Sequence, residues 1–408
     1  MNILLINHYA GSPKMGMEYR PYYLAREWVN SGHKVYIIAA SQSHVRTNQP
    51  KVDKDFQEEI IDGINYIWIK TPKYCGNSFG RIRNMFAFTR KLWMKSRFIS
   101  KVFNPDVVIA SSTYPLDNYP AYRISRFSKA KYYYEVHDLW PLSPMEIGAY
   151  SKWHPFILIM QKAENFAYKN IDAVVSMLPK TKSHMISHGL NPEKFNYIPN
   201  GIKIDEWQEN YEIPNTHQDL IVELKEKGFK LIAYVGTHGK ANALDNFINT
   251  AEILKDKEFA FILIGKGLEK ENLINLTKSK NLNNVYFLDS IDKKFIPKLL
   301  NYFDLFYIGS NYQPIYRFGI SPNKMIDYMM AGKPIIQAII AGNDMVKESN
   351  CGISVKPDNP KEVADAILKL INLSDEELIM IGENGKKYVE ENHDYSKLAE
   401  QFIEVLNK

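Results

Sequence analysis

The sequence predicts an α/β protein made of two doubly wound domains, each with a mostly parallel sheet. Its 408 residues exceed what a single hydrophobic core usually serves. Short apolar runs alternate with longer amphipathic runs along the chain, and one polar stretch interrupts the pattern near the middle. Because this alternation is typical of βαβ units, we expect the sheets to be parallel.

The first series of strands occupies the first half of the chain. Apolar runs predict strands at residues 2–7, 34–40, 64–70, 106–111, 131–136 and 173–177. The helix predicted at residues 19–31 carries Tyr22, Ala25 and Trp28 on one face. The N-terminal residues have no basic region and no cleavage site, so we interpret them as a strand rather than a signal peptide.

The second series follows a polar stretch that predicts the domain boundary. Turn residues at Pro199, Asn200 and Gly201 lead into a segment without periodicity that extends to Lys227. We therefore expect domains at residues 1–205 and 206–390. Strands of the second domain are predicted at residues 230–235, 260–264, 285–288, 305–308 and 334–338, and a helical pattern at 396–406 ends the chain.

The composition is that of a soluble globular protein. Apolar residues make up 45% and charged residues 24%, and no apolar run approaches the length of a membrane span. Cys75 and Cys351 are the only cysteines, which are too few and too far apart for a disulfide framework or a zinc site. A reduced, cytoplasmic setting is expected.

The net charge of the whole chain is a mild +5, but one segment is strongly basic. Residues 76–104 contain seven basic residues and no acidic one, interleaved with aromatic and methionine side chains. The basic residues are Arg81, Arg83, Arg90, Lys91, Lys95, Arg97 and Lys101, and Trp93 lies among them. Such a helix either binds an anionic membrane surface or packs its apolar stripe on its own domain. Nucleic-acid binding is not expected, because no nucleic-acid motif accompanies the basic residues.

Ligands of doubly wound sheets bind where strands end and helices begin, and two such junctions lie in the first domain. The first contains Gly11 and Gly16, so its backbone can approach a phosphate or a sugar. At the second, His137 and Asp138 follow a predicted strand. This histidine either exchanges a proton near neutral pH or is bonded to backbone beside a capping aspartate.

Two further junctions lie in the second domain. One strand runs into Gly236, Thr237 and His238, which offer backbone amides and two side-chain donors. At the other, Ser321 is predicted to cap a helix with Pro322 at its first position, which favours an anion at the helix start.

Charged residues surround this last helix start. Arg317 and Lys324 flank it as cations, and Asp327 lies one turn into the helix. The carboxylate either accepts hydrogen bonds from a ribose diol or only stabilises the helix dipole.

The order and spacing of these junctions resemble glycosyltransferase family 4, retaining enzymes of the GT-B fold. The similarity covers nearly the whole chain, and the most similar members are bacterial enzymes that build surface polysaccharides such as O-antigen or capsule. It is carried by residues 11–16, 32–35 (GHKV), 137–138 (HD), 198–202 (IPNGI), 234–236 (YVG) and 321–334 (SPNKMIDYMMAGKP). The resemblance implies two Rossmann-like domains facing a cleft, the first binding the acceptor and the second the nucleotide sugar. It also implies that a C-terminal helix, within residues 391–408, packs back on the first domain.

The resemblance also implies site residues. His137 and Lys324 are expected to be catalytic. The donor-binding residues would be Gly16, Gly236, Thr237, His238, Lys240, Arg317, Gly319, Ile320, Ser321, Asn323 and Asp327. Asp327 takes the place of the second acid in the family's acidic pair, which holds the ribose.

Two departures from the family pattern affect the expected contacts. The first acid of the pair falls at Gly319, so backbone amides of residues 319–321 are expected to replace it. The arginine and lysine that grip the diphosphate fall at Thr237 and Asn242. The cations expected to compensate are Lys324, Arg317, His238 and Lys240.

The implied activity is transfer of a sugar, such as an N-acetylated amino sugar, from a UDP-sugar to a lipid-linked acceptor with retention. The sequence offers no obvious enzyme nucleophile and no D-x-D-type carboxylate cluster, so neither a covalent intermediate nor a metal is expected. The expected partners are the nucleotide sugar, a polyprenyl-linked glycan and the inner face of the cytoplasmic membrane. The residues expected at the membrane or acceptor are Arg81, Arg83, Arg90, Lys91, Trp93, Lys95 and Arg97.

Three other classes of protein share parts of this pattern. A UDP-sugar epimerase of the same fold also holds a nucleotide sugar. A nicotinamide-dependent oxidoreductase needs a full G-x-G-x-x-G fingerprint, which the first turn lacks. A two-domain solute-binding protein needs an export signal, which the sequence does not offer.

Overall fold

The computed structural model describes residues 1–16, 19–74, 76, 79–209 and 211–408, so Cys75 lies outside the described residues. The chain divides into two compact units, one formed by Met1–Asn200 with Tyr395–Lys408 and the other by Gly201–Asp394. The sequence placed this division at 205/206. Each unit has a Rossmann-like sheet flanked by helices, which confirms the predicted fold class.

The first unit contains an eight-stranded sheet. Its strands are β1 (Asn2–Ile6), β2 (Lys34–Ala40), β3 (Gln57–Ile61), β4 (Ile64–Ile69), β5 (Val107–Ala110), β6 (Lys131–Val136), β7 (Ala173–Ser176) and β8 (Phe195–Tyr197). They lie in the order β3-β4-β2-β1-β5-β6-β7-β8, and β3 pairs antiparallel with β4 while the other pairs are parallel. The order reverses at β1, where ligands of such sheets bind.

Helices cover this sheet and connect its strands. They are α1 (Tyr19–Asn30), α2 (Phe79–Phe103), α3 (Asn118–Ser128), α4 (Leu142–Glu146), α5 (Pro155–Asn170) and α6 (Lys182–Ser187). Strands β3 and β8 were not predicted. β3 is a polar edge strand that is mostly exposed, and β8 has only three residues, so neither shows an apolar run.

The second unit contains a six-stranded sheet in which every pair is parallel. Its strands are β9 (Lys230–Val235), β10 (Phe259–Ile264), β11 (Val285–Leu288), β12 (Leu305–Gly309), β13 (Ile335–Ala338) and β14 (Gly352–Ser354). They lie in the order β11-β10-β9-β12-β13-β14, so the order reverses at β9. Strand β14 was not predicted.

Eight helices of the second unit are described. They are α7 (Asn215–Glu226), α8 (Leu244–Ile253), α9 (Lys270–Ser279), α10 (Ile296–Leu300), α11 (Asn323–Met330), α12 (Met345–Ser349), α13 (Pro360–Ile371) and α14 (Asp375–Asn392). Across both units, none of the described helices combines the length and hydropathy needed to cross a bilayer.

The last helix, α15 (Tyr395–Asn407), belongs to the first unit and packs on α1. The ring of Phe402 meets Trp28 edge to face with centroids 5.2 Å apart, and Trp28 Nε1 donates to the Ala399 carbonyl at 3.2 Å. Tyr395 stacks on Tyr23 with centroids 5.0 Å apart. Buried aromatic pairs therefore hold the end of the chain on the first unit.

Truncation of Phe402 tests this attachment. Because its side chain is fully buried, Phe402→Ala should lower the free energy of unfolding by about 3–5 kcal/mol, measured by urea denaturation followed through tryptophan fluorescence. Gln401→Ala changes an exposed neighbour and should leave stability within about 0.5 kcal/mol of the wild type. Equal stabilities of the two variants would contradict the packing role.

Candidate functional site

The site in the second unit lies at the carboxyl ends of β9 and β12, where the strand order reverses. Two glycine-containing loops pack against each other there. A Cβ at Gly265 would lie 1.9 Å from the Gly236 carbonyl oxygen, and one at Gly267 would lie 2.2 Å from the His238 carbonyl oxygen. Only glycine permits this approach, so Gly265 and Gly267 support the loop that follows β9.

Helix α11 is fixed to the end of β9 by one tyrosine. The Tyr328 hydroxyl accepts a hydrogen bond from the Val235 amide at 2.7 Å and donates one to the Val235 carbonyl at 3.0 Å. Its ring stacks on Phe306 of β12 with centroids 4.4 Å apart. The start of α11 is therefore held beside the loop after β9. Sequence reasoning missed Tyr328, which directly follows the proposed ribose-binding Asp327.

Lys324 extends from the first turn of α11 toward the β9 loop. Its Nζ donates to the Tyr234 hydroxyl at 2.8 Å and to Asn242 Oδ1 at 2.6 Å. Burial lowers the pKa of Lys324 to about 8. No acidic side chain among the described residues forms an ion pair with it, so an anion bound here would restore the full charge of the lysine.

Lys324 also contacts one of the two positions at which the sequence departs from the family pattern. It bonds to Asn242, where the family carries a phosphate-binding lysine. A cation from α11 thus reaches the same loop from another element.

Asp327 is partly buried one turn after Lys324. Burial raises the pKa of its carboxyl to about 6, while Lys293 acts in the opposite direction. No described residue donates a side-chain hydrogen bond to this carboxylate, so it can accept two bonds from a diol.

His238 is not the cation that was expected. The side chain is fully buried, and burial, then Lys270 and Lys324, lower its pKa to about 4. At neutral pH the ring is uncharged and cannot neutralise a phosphate. Both ring nitrogens are buried, and neither has a hydrogen-bond partner among the described residues.

The loop before α11 uses two of the amides that were expected to contact the donor. Gly319 N–H donates to the Tyr316 carbonyl at 2.9 Å, and Ile320 N–H donates to Asn343 Oδ1 at 2.8 Å. Both amides therefore stabilise the loop. Asn343 was not found from the sequence because it lies far along the chain.

The predicted start of α11 was also wrong by one residue. Pro322 has extended backbone angles and is itself the N-cap, so the helix begins at Asn323, and no described side chain caps it. Ser321 lies before the cap. A Ser-Pro pair before a helix suggests that the serine is the N-cap, but the backbone angles of Pro322 (φ −78°, ψ 124°) are not helical.

The remaining donor candidates lie at the surface. Thr237, Lys240, Arg317 and Asn323 are exposed. Arg317 donates to the Pro314 carbonyl at 2.7 Å and lies over the Phe318 ring at 4.4 Å, so it is held within its own loop.

In the first unit, His137 belongs to a buried hydrogen-bonded network at the ends of β5 and β6. Its Nε2 lies 3.0 Å from Ser111 Oγ and 3.2 Å from Glu135 Oε2. Glu135 also pairs with Arg20, which donates from Nε at 2.8 Å and bonds to the carbonyls of Ile198 and Pro199.

Burial alone would raise the pKa of Glu135, but Arg20 and His137 outweigh it and hold the pKa well below its ordinary value. The carboxylate is therefore charged and orients His137. Sequence reasoning missed Glu135 and Arg20. A charged residue inside the apolar run of β6 was the available signal.

The neighbouring candidates have local structural contacts. Asp138 Oδ1 accepts from Ser143 Oγ at 3.2 Å, but the N-cap of α4 is Pro141, so this bond between two side chains is not the predicted helix cap. Gly16 ends a short 3-10 helix, Pro13–Met15, with φ +71°, and its amide donates to Pro13. A positive φ favours glycine here.

The basic segment forms α2, which has one buried apolar face and one exposed mixed face. Four of the predicted membrane residues also make contacts within the unit. Arg81 lies over Tyr9 and Trp140, and Lys91 pairs with Asp55 at 2.9 Å. Arg123 lies over the Trp93 ring at 4.5 Å, and Arg97 lies over the Phe127 ring at 5.1 Å. The exposed face carries Phe79, Arg83, Phe86, Arg90, Trp93, Met94, Lys95, Arg97, Phe98 and Lys101. Residues 77 and 78 lie outside the described residues.

Two family models match the chain and together cover most of it. Residues 15–206 match Glycosyltransferase Family 4, and residues 217–407 match Glycosyl transferases group 1. Each half of the chain therefore matches a family model of glycosyltransferases, as the sequence motifs predicted.

Similar proteins include two curated bacterial glycosyltransferases. The chain is 24% identical over 182 residues to the poly(ribitol-phosphate) alpha-N-acetylglucosaminyltransferase of Staphylococcus aureus strain COL, covering 44% of this chain and 35% of that protein. It is 22% identical over 251 residues to the putative colanic acid biosynthesis glycosyl transferase WcaI of Escherichia coli K12, covering 59% and 58%. The chain thus spans about a third of the first relative and somewhat over half of the second.

Among solved structures, HepE of Anabaena, crystallised with UDP and glucose, shares the fold over the whole of both chains. The TM-score is 0.69 at 16% identity, with 100% of each chain covered.

Substitution of Gly267 tests the packed loops. In Gly267→Ala the new methyl group must displace the His238 backbone, so we expect a loss of about 1–3 kcal/mol in the free energy of unfolding, measured by chemical denaturation. Gly239→Ala is the matched control from the same site, because a Cβ there would have no neighbour nearer than 3.7 Å. The close packing would be disproved by two variants of equal stability.

Proposed function

We propose that this protein transfers a sugar from a UDP-sugar to a lipid-linked glycan with retention at the anomeric carbon, in the synthesis of a bacterial surface polysaccharide. The observation that carries the proposal is Lys324, a partly buried cation without an acidic partner among the described residues, next to the glycine-containing loop that follows β9. Such a site favours the binding of an anion.

The proposed mechanism uses the charge that develops on the leaving group. As the bond to the anomeric carbon breaks, the diphosphate becomes more negative. Lys324 and the amides at the start of α11 stabilise this state more than the ground state. Asp327 is mostly ionised at neutral pH, because its pKa is about 6, and accepts the ribose hydroxyls. That transfer needs no metal remains a prediction.

His137 is proposed to lie beside the donor sugar. Its Nε2 is bonded to Glu135 and Ser111, so the imidazole orientation is fixed before substrate binds. An imidazole ring held in place near the sugar would position it without reorganisation during the reaction. Front-face attack by the acceptor would then need no enzyme nucleophile.

The identity of the donor is supported by similar proteins. HepE, which shares the fold, was crystallised with UDP and with UDP-glucose. The Staphylococcus relative is named as an alpha-N-acetylglucosaminyltransferase. An α-linked product is the outcome of retention from an α-linked nucleotide sugar. The name also supports an N-acetylated amino sugar as the group transferred here. WcaI is named for colanic acid, a polysaccharide product.

The acceptor is proposed to reach the enzyme at a membrane surface. The exposed face of α2 combines arginines and lysines with Trp93, which is 43% exposed, and Met94, which is 61% exposed. Basic and aromatic side chains on one face bind anionic lipid headgroups in the interfacial plane. The enzyme would then lie on the inner face of the cytoplasmic membrane.

Turnover with a panel of UDP- and GDP-sugars, with and without bacterial lipid extract, tests the function. We expect a glycolipid product and UDP from one UDP-sugar only when lipid is present, with the anomeric configuration of the donor retained in the NMR spectrum. Isomerised UDP-sugar without an acceptor would instead establish the epimerase. Reduction of a nicotinamide cofactor would establish an oxidoreductase.

Replacement of Lys324 tests its role at the leaving group. Lys324→Met keeps the length of the side chain but removes the charge, so we expect transition-state stabilisation to fall by about 2–4 kcal/mol, measured as kcat/KM for the donor. In the wild type, donor affinity should decrease as pH rises above about 8, because the free lysine then loses its proton.

Lys333→Met, after the end of the same helix, is the control and should keep wild-type kcat/KM. If Lys324→Met also retains wild-type kcat/KM, the lysine has no part in the mechanism.

Removal of charge from α2 tests membrane binding. Arg83, Arg90 and Lys95 are exposed, and their joint replacement by Ala should weaken binding to anionic vesicles by about 1 kcal/mol per residue, measured by sedimentation at several salt concentrations. Replacing the exposed Lys255, Lys257 and Lys278 of the second unit removes the same charge and should have little effect. Equal binding by both triple variants would show that α2 is not the membrane surface.

A further inference from the structure

A cluster of two histidines and one glutamate lies in the first unit and takes no part in the proposed transfer. Glu164 is on α5, His184 is on α6, and His188 directly follows α6. One ligand atom from each residue lies within 4.8 Å of the ligand atoms of the other two. We propose that these three side chains bind one Zn²⁺ ion.

The histidines are arranged as metal ligands require. They are four residues apart at the end of one helix, and their ring centroids are 4.3 Å apart. His188 Nδ1 lies 2.9 Å from the His184 carbonyl oxygen, which can only accept, so Nδ1 carries the hydrogen. In the neutral ring, Nε2 of His188 then offers its lone pair to a metal. Metal-binding histidines commonly donate their second nitrogen to a carbonyl in this way.

The glutamate is a buried carboxylate that lacks a strong cationic partner. Its side chain is 1% exposed, and the only ion pair it forms with a described residue is with His184 Nε2 at 3.2 Å. Gln161 donates to Glu164 Oε2 at 2.6 Å, and the Tyr168 hydroxyl donates to Oε1 at 3.1 Å. These two bonds orient the carboxylate. Because buried charges are usually paired or bound to a metal, a divalent cation here would offset the cost of burial.

The donor set and its dimensions fit zinc. Two imidazole nitrogens and one carboxylate oxygen are ligands that Zn²⁺ prefers, with a fourth position left for water. Tetrahedral bonds of about 2.0–2.1 Å place ligand atoms roughly 3.3 Å apart. The His184 to Glu164 separation of 3.2 Å already matches this distance. The wider separations, up to 4.8 Å, would close by rotation of the partly buried histidines.

The proposed ion would join two elements that are separated in sequence. Helix α5 precedes β7, and α6 follows it. Zn²⁺ would fasten these helices together on the first unit, so its effect would be on stability and not on the donor site. The proposal is therefore independent of the proposed transferase activity.

Zinc titration of the chelator-treated full chain tests the proposal. We expect isothermal titration calorimetry to show one saturable Zn²⁺ site, together with a rise in Tm. Co²⁺ should give the visible absorption bands of a tetrahedral site. Because even outer-shell partners change metal affinity by roughly 10–100-fold, loss of the ligand in His188→Gln should weaken Zn²⁺ binding by at least about 100-fold.

Control variants make the result specific. His154→Gln changes an exposed histidine at the start of α5 and should bind Zn²⁺ as the wild type does. His184→Gln should lose binding as His188→Gln does. The Tm of both variants after chelator treatment, compared with that of the chelator-treated wild type, shows that they are folded.

Absence of a one-to-one Zn²⁺ site in the wild type would overturn the proposal. So would unchanged affinity in folded His188→Gln and His184→Gln, or an equal loss of affinity in His154→Gln. UDP binding, measured on the same samples, should be the same with and without Zn²⁺.

Discussion

The hydrogen bonds between the Tyr328 hydroxyl and the backbone of Val235 hold the candidate site of the second unit together, because they join α11 to the end of β9. One hydroxyl bonds both the amide and the carbonyl of Val235 at the end of β9. The tyrosine thereby fixes the rotation of α11 about its axis. Lys324 and Asp327 belong to the same helix, so their positions relative to the β9 loop follow from this one contact.

The two units differ in whether a charged side chain in the interior is paired with an opposite charge. In the first unit, Arg20 and Glu135 compensate each other, and the pair also ties α1 to the carbonyls of Ile198 and Pro199. In the second unit, the only described atoms that accept hydrogen bonds from Lys324 are neutral oxygens, and burial lowers its pKa to about 8. A satisfied ion pair makes a rigid support. An uncompensated cation gains stability when an anion arrives, which is the property of a binding site.

The sequence predicted the fold well where strands are buried, since apolar runs marked Lys34–Ala40, Lys131–Val136, Lys230–Val235 and Val285–Leu288 with the observed bounds. It missed β3, because an exposed edge strand has no core face to leave a pattern. The site was predicted less completely. The charge state of the His238 ring could not be inferred from the spacing of residues in the sequence, because it depends on the complete burial of the side chain. The separation of α2 into a buried and an exposed face likewise needed the positions of Tyr9, Trp140 and Asp55.

The conformation of Gly319 constrains how this site can evolve. Its φ of +100° is unfavourable for any side chain, and a Cβ at the neighbouring Gly342 would lie 3.0 Å from the Gly319 amide nitrogen. A single codon change to glutamate would therefore place the family's first acid on a backbone that resists it. An acid at position 319 alone would therefore carry the cost of a strained backbone, so one substitution cannot restore the pair without that cost.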